Sequence, residues 1–148
     1  GGLFSCNTTN PQEKAQAWIT ENTTVTALLT DHNGTVWAGF RDGTVARQAG
    51  QGFEPVNTPD TGKKAAITSL STDQQGVLYC ATLGDGLHLL KAGQWQTIRE
   101  PFFTKNQVRS LMTDKTGKTW CGFSGGVFWL DGTKLVNLIK MDSAGDGC

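Results

Sequence analysis

The chain has no excess of charge of either sign: 13 basic and 13 acidic side chains cancel over 148 residues. A neutral surface has no long-range field to draw in nucleic acid or an anionic membrane, so neither is expected as a partner. No run of 18 apolar residues occurs, so no transmembrane helix is expected. Histidine is scarce, with only His32 and His88, and no CxxC or His–Cys spacing offers a metal site. A G-x-S-x-G nucleophile turn and a phosphate-cradling glycine loop are both missing. No cofactor is expected, and no catalytic set assembles from these residues. Apolar residues also show little of the 3.6-residue spacing that a helical fold requires.

What is present is glycine and repetition. Nineteen glycines and a charged fraction of only 18% favour many short strands joined by tight turns. Asp31, Asp73 and Asp114 are spaced by 42 and 41 residues, and Gly34, Gly76 and Gly117 keep the same spacing. So do the aromatics Trp37, Tyr79 and Trp120. Each unit reads as four strands. "VTALLT" alternates as an innermost strand would, and "DHNG" makes a turn. "TVWAGF" centres on the aromatic, "RDG" turns again, and "TVARQ" and "FEPV" complete the set. A period in the low forties with four strands per unit predicts β-propeller blades. The aromatic, followed two residues later by Gly39, Ala81 or Gly122, reads as a knob beside a socket between neighbouring blades.

The units resemble the two-component regulator propeller repeat, which runs Val-x-x-Leu-x-x-Asp-x-x-Gly-x-x-Trp-x-Gly and ends in a Gly-Leu or Gly-Val pair. Val25, Leu28, Asp31, Gly34, Trp37 and Gly39 match in the first unit, with Gly43 followed by Thr44 where the pair is interrupted. Val108, Leu111, Asp114, Gly117, Trp120, Gly122, Gly126 and Val127 match in the third, while the second departs at Tyr79 and Ala81. The resemblance covers roughly residues 25–136. It implies a bacterial cell-envelope propeller of the kind found in the periplasmic sensor regions of hybrid histidine kinases, many of them linked to polysaccharide use.

The expected fold is therefore all-β: three blades of four antiparallel strands plus one N-terminal outer strand, an incomplete ring in a single chain. Blades are assigned to residues 25–66, 67–107 and 108–148. Residues 14–24 supply an orphan outer strand ("AQAWIT") with its connection, and 1–13 a tether. Propellers close with four or more blades, so closure here calls for further blades of a longer chain or for self-association. "GGLFSC" resembles the end of a bacterial lipoprotein signal, which implies a periplasmic or cell-surface location with a lipid on Cys6. The competing reading is a few residues of no special meaning, because no charged n-region precedes them.

Cys80 and Cys121 occupy equivalent positions, so they point to the same side of their own blades and should not face each other; both read as small packing residues. Cys6 and Cys148 could pair only if Cys6 is not lipidated. His32 reads as a turn residue, His88 as a surface or edge residue, and Asp42 and Asp85 as matching turn formers. The Asn-x-Thr triplets at Asn7, Asn22 and Asn33 read as chance matches in a threonine-rich chain.

Propeller ligands usually meet the loops at one end of the central channel. The longest connections are "NTPDTGKKAA" and "REPFFTKNQ", which makes Lys63, Arg99, Phe102 and Phe103 candidate ligand contacts. The aromatic pair would stack on apolar sugar faces, or alternatively plug the blade bottom. Arg109, equivalent to Thr26 and Thr68 on the innermost strands, could donate into the channel. The function expected is a non-catalytic ligand-binding or sensor module of the cell envelope, the ligand being an unidentified small molecule or glycan. The alternatives are an assembly module that docks proteins through blade faces and rims, and an enzyme of the propeller-lyase kind.

Overall fold

The computed structural model describes residues 3–5, 16–19, 24–58, 62, 64–99, 103, 107–123 and 126–140. Three four-stranded antiparallel meanders account for most of them. The first blade comprises β3 (Val25–Thr30), β4 (Val36–Phe40), β5 (Val45–Ala49) and β6 (Gly52–Val56). The second comprises β7 (Ile67–Thr72), β8 (Leu78–Thr82), β9 (Leu87–Lys91) and β10 (Gln94–Ile98). The third comprises β11 (Val108–Thr113), β12 (Thr119–Phe123), β13 (Gly126–Asp131) and β14 (Lys134–Lys140). At the N-terminus β1 (Leu3–Ser5) pairs antiparallel with β2 (Gln16–Ile19), which touches β6. The tether expected over 1–13 thus includes a strand, and the orphan outer strand has a partner on its own chain.

The repeated Asp does more than start a turn. One oxygen of Asp31 accepts the backbone N–H groups of Asn33 and Thr35, each at 2.9 Å, and the other accepts the Trp37 indole N–H at 2.9 Å. Asp73 does the same for Gln75, Val77 and the Tyr79 hydroxyl, and Asp114 for Thr116, Lys118 and the Trp120 indole at 2.7 Å. Glycine closes each turn at positive φ: 81° at Gly34, 78° at Gly76 and 84° at Gly117. Each carboxylate therefore fixes both the turn and the polar end of the ring six residues on, leaving the rest of the ring free to pack. Burial and the neighbouring Asp73 carboxylate push the Tyr79 hydroxyl up to about 12, which keeps it a donor at neutral pH.

Two apolar layers join the blades. Between the first and second lie Val45, Ile67, Leu70, Leu78 and Cys80, with Trp37, Leu29 and Trp95 at the margin. Between the second and third lie Tyr79, Ala81, Leu87, Leu89, Phe103, Val108, Cys121, Phe128 and Leu130. Each large apolar side chain buried this way contributes about 1.5–3 kcal/mol. Gly39 is the socket of the first layer: a methyl group there would collide with Ile67. Cys80 and Cys121 are free, buried and in different layers, and burial raises both thiols, Cys121 to about 12. Cys6 and Cys148 lie outside the described residues.

Polar stitches run along the innermost strands. Thr68 Oγ1 donates to the Val108 carbonyl at 2.7 Å, Leu111 N–H donates to Ser69 Oγ at 2.9 Å, and Ser71 Oγ lies 2.9 Å from Thr113 Oγ1. These bonds hold β7 beside β11, while β3 packs against the other side of β7. Three first strands side by side, each followed outward by its own meander, form a sector of a propeller around its axis. The register of the third blade aligns Met112, Trp120 and Trp129, with Val127 opposite Gly122, on a face that no described sheet covers. Met112 is 60% exposed and Val127 37%.

Candidate functional site

The two ends of each blade differ. The Asp turns occupy one; at the other, the turn between second and third strands meets the connection entering its own blade's innermost strand. Arg41 N–H donates to the Thr24 carbonyl and Leu83 N–H to the Ala66 carbonyl, both at 2.9 Å, so the same contact recurs 42 residues on. Gly43, with φ of 87°, approaches instead the connection that enters the next blade. A Cβ there would sit 2.9 Å from the Ala65 carbonyl oxygen. These contacts press each turn against the start of an innermost strand.

An open groove of about 490 Å³ results at this axial end. Thr26, Ile67, Thr68 and Arg109 line it from the innermost strands, Arg41 and Leu83 from the turns, and Ala66 and Gln107 from the incoming chain. Arg109, expected as a channel donor, is among the lining residues. Arg41, Leu83 and Gln107 join it without having been singled out in the sequence. The signal available for Arg41 was its departure from Leu83, its equivalent in the next unit.

The other candidate contacts fall elsewhere. Arg99 is not in the groove; its guanidinium hydrogen-bonds Asp85 at 3.1 Å. Phe103 is 1% exposed and packs edge-on against Phe128 with ring centroids 5.3 Å apart, so it plugs the second layer and offers no face to a ligand. Lys63 and Phe102 lie outside the described residues.

His88 and Asp85 also differ from expectation. His88, expected at a surface or edge, is 5% exposed: its Nδ1 lies 2.8 Å from Thr97 Oγ1 and its Nε2 3.6 Å from Asp85. Asp85 is buried and pairs with His88 and with the exposed Arg99, whereas Asp42, in the matching turn of the first blade, is exposed and accepts the Thr44 N–H at 3.0 Å. The reason is position. The middle blade has a neighbour on each side, so β9 is covered on both faces. Burial lowers the His88 pKa, partly opposed by Asp85. His32 is exposed in the turn beyond the far end of β3 from the groove.

A larger recess of about 830 Å³ lies at the Asp-turn end, between the outer parts of the second and third blades. Asp73 and Tyr79, bonded to each other, stand in its lining. No group of three or more His, Cys, Asp or Glu suited to a metal ion exists among the described residues. No helix among them is long and apolar enough to cross a membrane.

Sheets, stacking and axial groove together define a β-propeller architecture. No protein-family model and no curated protein matches the sequence. Solved structures share its fold. The extracellular domain of the hybrid two component system BT4673 from B. thetaiotaomicron superposes with a TM-score of 0.74 at 20% identity, over 92% of this chain and 20% of that one. The corresponding domain of BT3049 from the same organism gives 0.59 at 18% identity, over 86% and 21%. Virginiamycin B lyase from Staphylococcus aureus gives 0.73 at 10% identity, over 91% and 48%. The chain thus spans about a fifth of each sensor domain and about half of the lyase.

Proposed function

We propose that this chain is part of an extracytoplasmic bacterial β-propeller that binds a ligand at the axial groove and does no chemistry on it. The observation that carries this reading is the groove itself, where innermost strands and turns of successive blades converge with Arg109 and Arg41 among its lining. Its volume lies within the range of about 300–1,000 Å³ usual for small-ligand sites. The repeat resemblance and the fold shared with extracellular sensor domains support an envelope location, with a glycan as the leading ligand class. A lyase role has less support, because neither histidine lines the groove and His88 is enclosed within the second blade.

A second reading rests on the uncovered face of the third blade, where Met112, Trp120, Val127 and Trp129 offer an apolar surface to a further blade or a protein partner. The two readings are compatible, since a ring completed across this face keeps the axial end open.

The test is a ligand screen by amide chemical-shift mapping on the 148-residue chain, using neutral and acidic oligosaccharides. Saturable shifts confined to Thr26, Thr68, Leu83, Gln107 and Arg109 are expected. A blank screen, or shifts clustered at the Asp-turn end, overturns the proposal.

A further inference from the structure

The distribution of arginines points to the chemistry of the ligand. The sequence holds four. Two are neutralised on the blades: Arg47 by Glu54 at 2.6 Å and Arg99 by Asp85 at 3.1 Å. The other two, Arg41 and Arg109, both line the axial groove, and neither guanidinium makes an ion pair or hydrogen bond among the described residues. No carboxylate lines this groove among the described residues. Asp42, beside Arg41 in sequence, is turned to the Thr44 N–H instead.

The fold requires neither charge. At the position of Arg109 the other units carry Thr26 and Thr68, whose hydroxyls donate to the carbonyls of Gly39 at 3.1 Å and Val108 at 2.7 Å. At the position of Arg41 the second unit carries Leu83. Both departures from the repeat thus add a cation to the same groove. Two like charges facing one recess repel each other, and nothing in the described blade packing compensates. An oxyanion between them would, because guanidinium groups present several donors in a fixed fork suited to carboxylate or sulfate. Leu83, 48% exposed on the rim, adds an apolar contact.

We infer that the axial groove takes a small anionic ligand, its carboxylate or sulfate group held between Arg41 and Arg109 and its apolar face against Leu83. This rests on reading the groove as the ligand site, and it names the class of ligand.

The experiment is amide chemical-shift titration of the 148-residue chain at fixed ionic strength with four probes: glucose, glucuronate, glucose 6-sulfate and sodium chloride. Glucuronate, glucose 6-sulfate or both should shift Thr68, Leu83, Gln107 and Arg109 saturably, and glucose should bind about tenfold or more weaker. The relative strength of the two acids tells a carboxylate site from a sulfate site. Arg41→Gln and Arg109→Gln should each weaken binding of the acid about tenfold, while Arg47→Gln, whose arginine is paired elsewhere, should leave it unchanged. Glucose binding as tightly as the acids, acid binding that survives in the Arg41→Gln/Arg109→Gln double variant, or equal shifts with chloride would overturn the inference while leaving a ligand groove in place. Groove amides that respond to no probe would overturn the groove as a ligand site, and the inference with it.

Discussion

Gly39 is where blade stacking can be broken by a single methyl group. Its backbone does not require glycine, since its φ is outside the positive region, so only space is at issue. In Gly39→Ala the new Cβ collides with the Cγ2 and Cβ of Ile67, a fully buried residue on the first strand of the next blade. Ile67 is branched at the contact and packed among Leu70, Leu78 and Val45, so relief requires the two sheets to separate. Overpacking of this kind costs about 1–3 kcal/mol. For a chain of this size, that lowers Tm by about 2–12 °C. The control is Gly122, which holds the same repeat position in the third blade. There an added methyl meets chiefly the Ser110 hydroxyl, an exposed group free to rotate, and no described sheet beyond it. Gly122→Ala should change stability by no more than about 0.5 kcal/mol. Thermal and urea denaturation of both variants would decide the matter. Equal losses, or a Gly39→Ala protein as stable as the parent, would refute the interlocked stacking of the first two blades.

Three other outcomes follow from the same geometry. Asp31→Ala strips acceptors from two backbone N–H groups and the Trp37 indole, a loss of about 1–3 kcal/mol, and Asp31→Asn should lose less; the urea midpoint and the indole N–H shift report both. His88 has a lowered folded pKa, so the unfolded chain takes up its proton first; its contribution should be intact above pH 6.5 and diminish as pH falls below it, and His88→Gln should flatten the Tm profile between pH 7 and 5. With Cys6 and Cys148 changed to serine, Cys80 and Cys121 should resist a thiol reagent until denaturant is added; rapid labelling of the native protein would contradict their burial.

The blades were legible in the sequence because each is written in local chemistry. Asp, Gly and aromatic recur at fixed spacing, and the turns and second strands fall where those residues place them. What spacing does not carry is the environment of each copy. His88 alternates between leucines in the manner of a half-exposed strand, but the second blade is covered on both sides, and its imidazole and the nearby Asp85 are enclosed. Phe103 sits in a connection with several charges and one proline, and only the packing against Phe128 shows that the ring is buried. The proposed groove was only partly legible. Arg109 stood out against Thr26 and Thr68, whereas Arg41 looks like any solvated turn residue until its turn is seen against Ala65, with Arg41 in the groove lining. The pairing of Leu3–Ser5 with Gln16–Ile19 had no signal in the repeat, because it lies outside it.

The account stands on neighbouring blades meeting face to face, for this packing sets the innermost strands side by side and so creates the groove between them. The most direct measurement is the nuclear Overhauser effect between the Ile67 Cγ2 methyl and the Gly39 α-protons in a methyl-labelled sample. Stacked blades give a strong cross-peak between these groups, which lie on different sheets. Its absence, with both resonances assigned, would mean that the first and second blades do not pack as described.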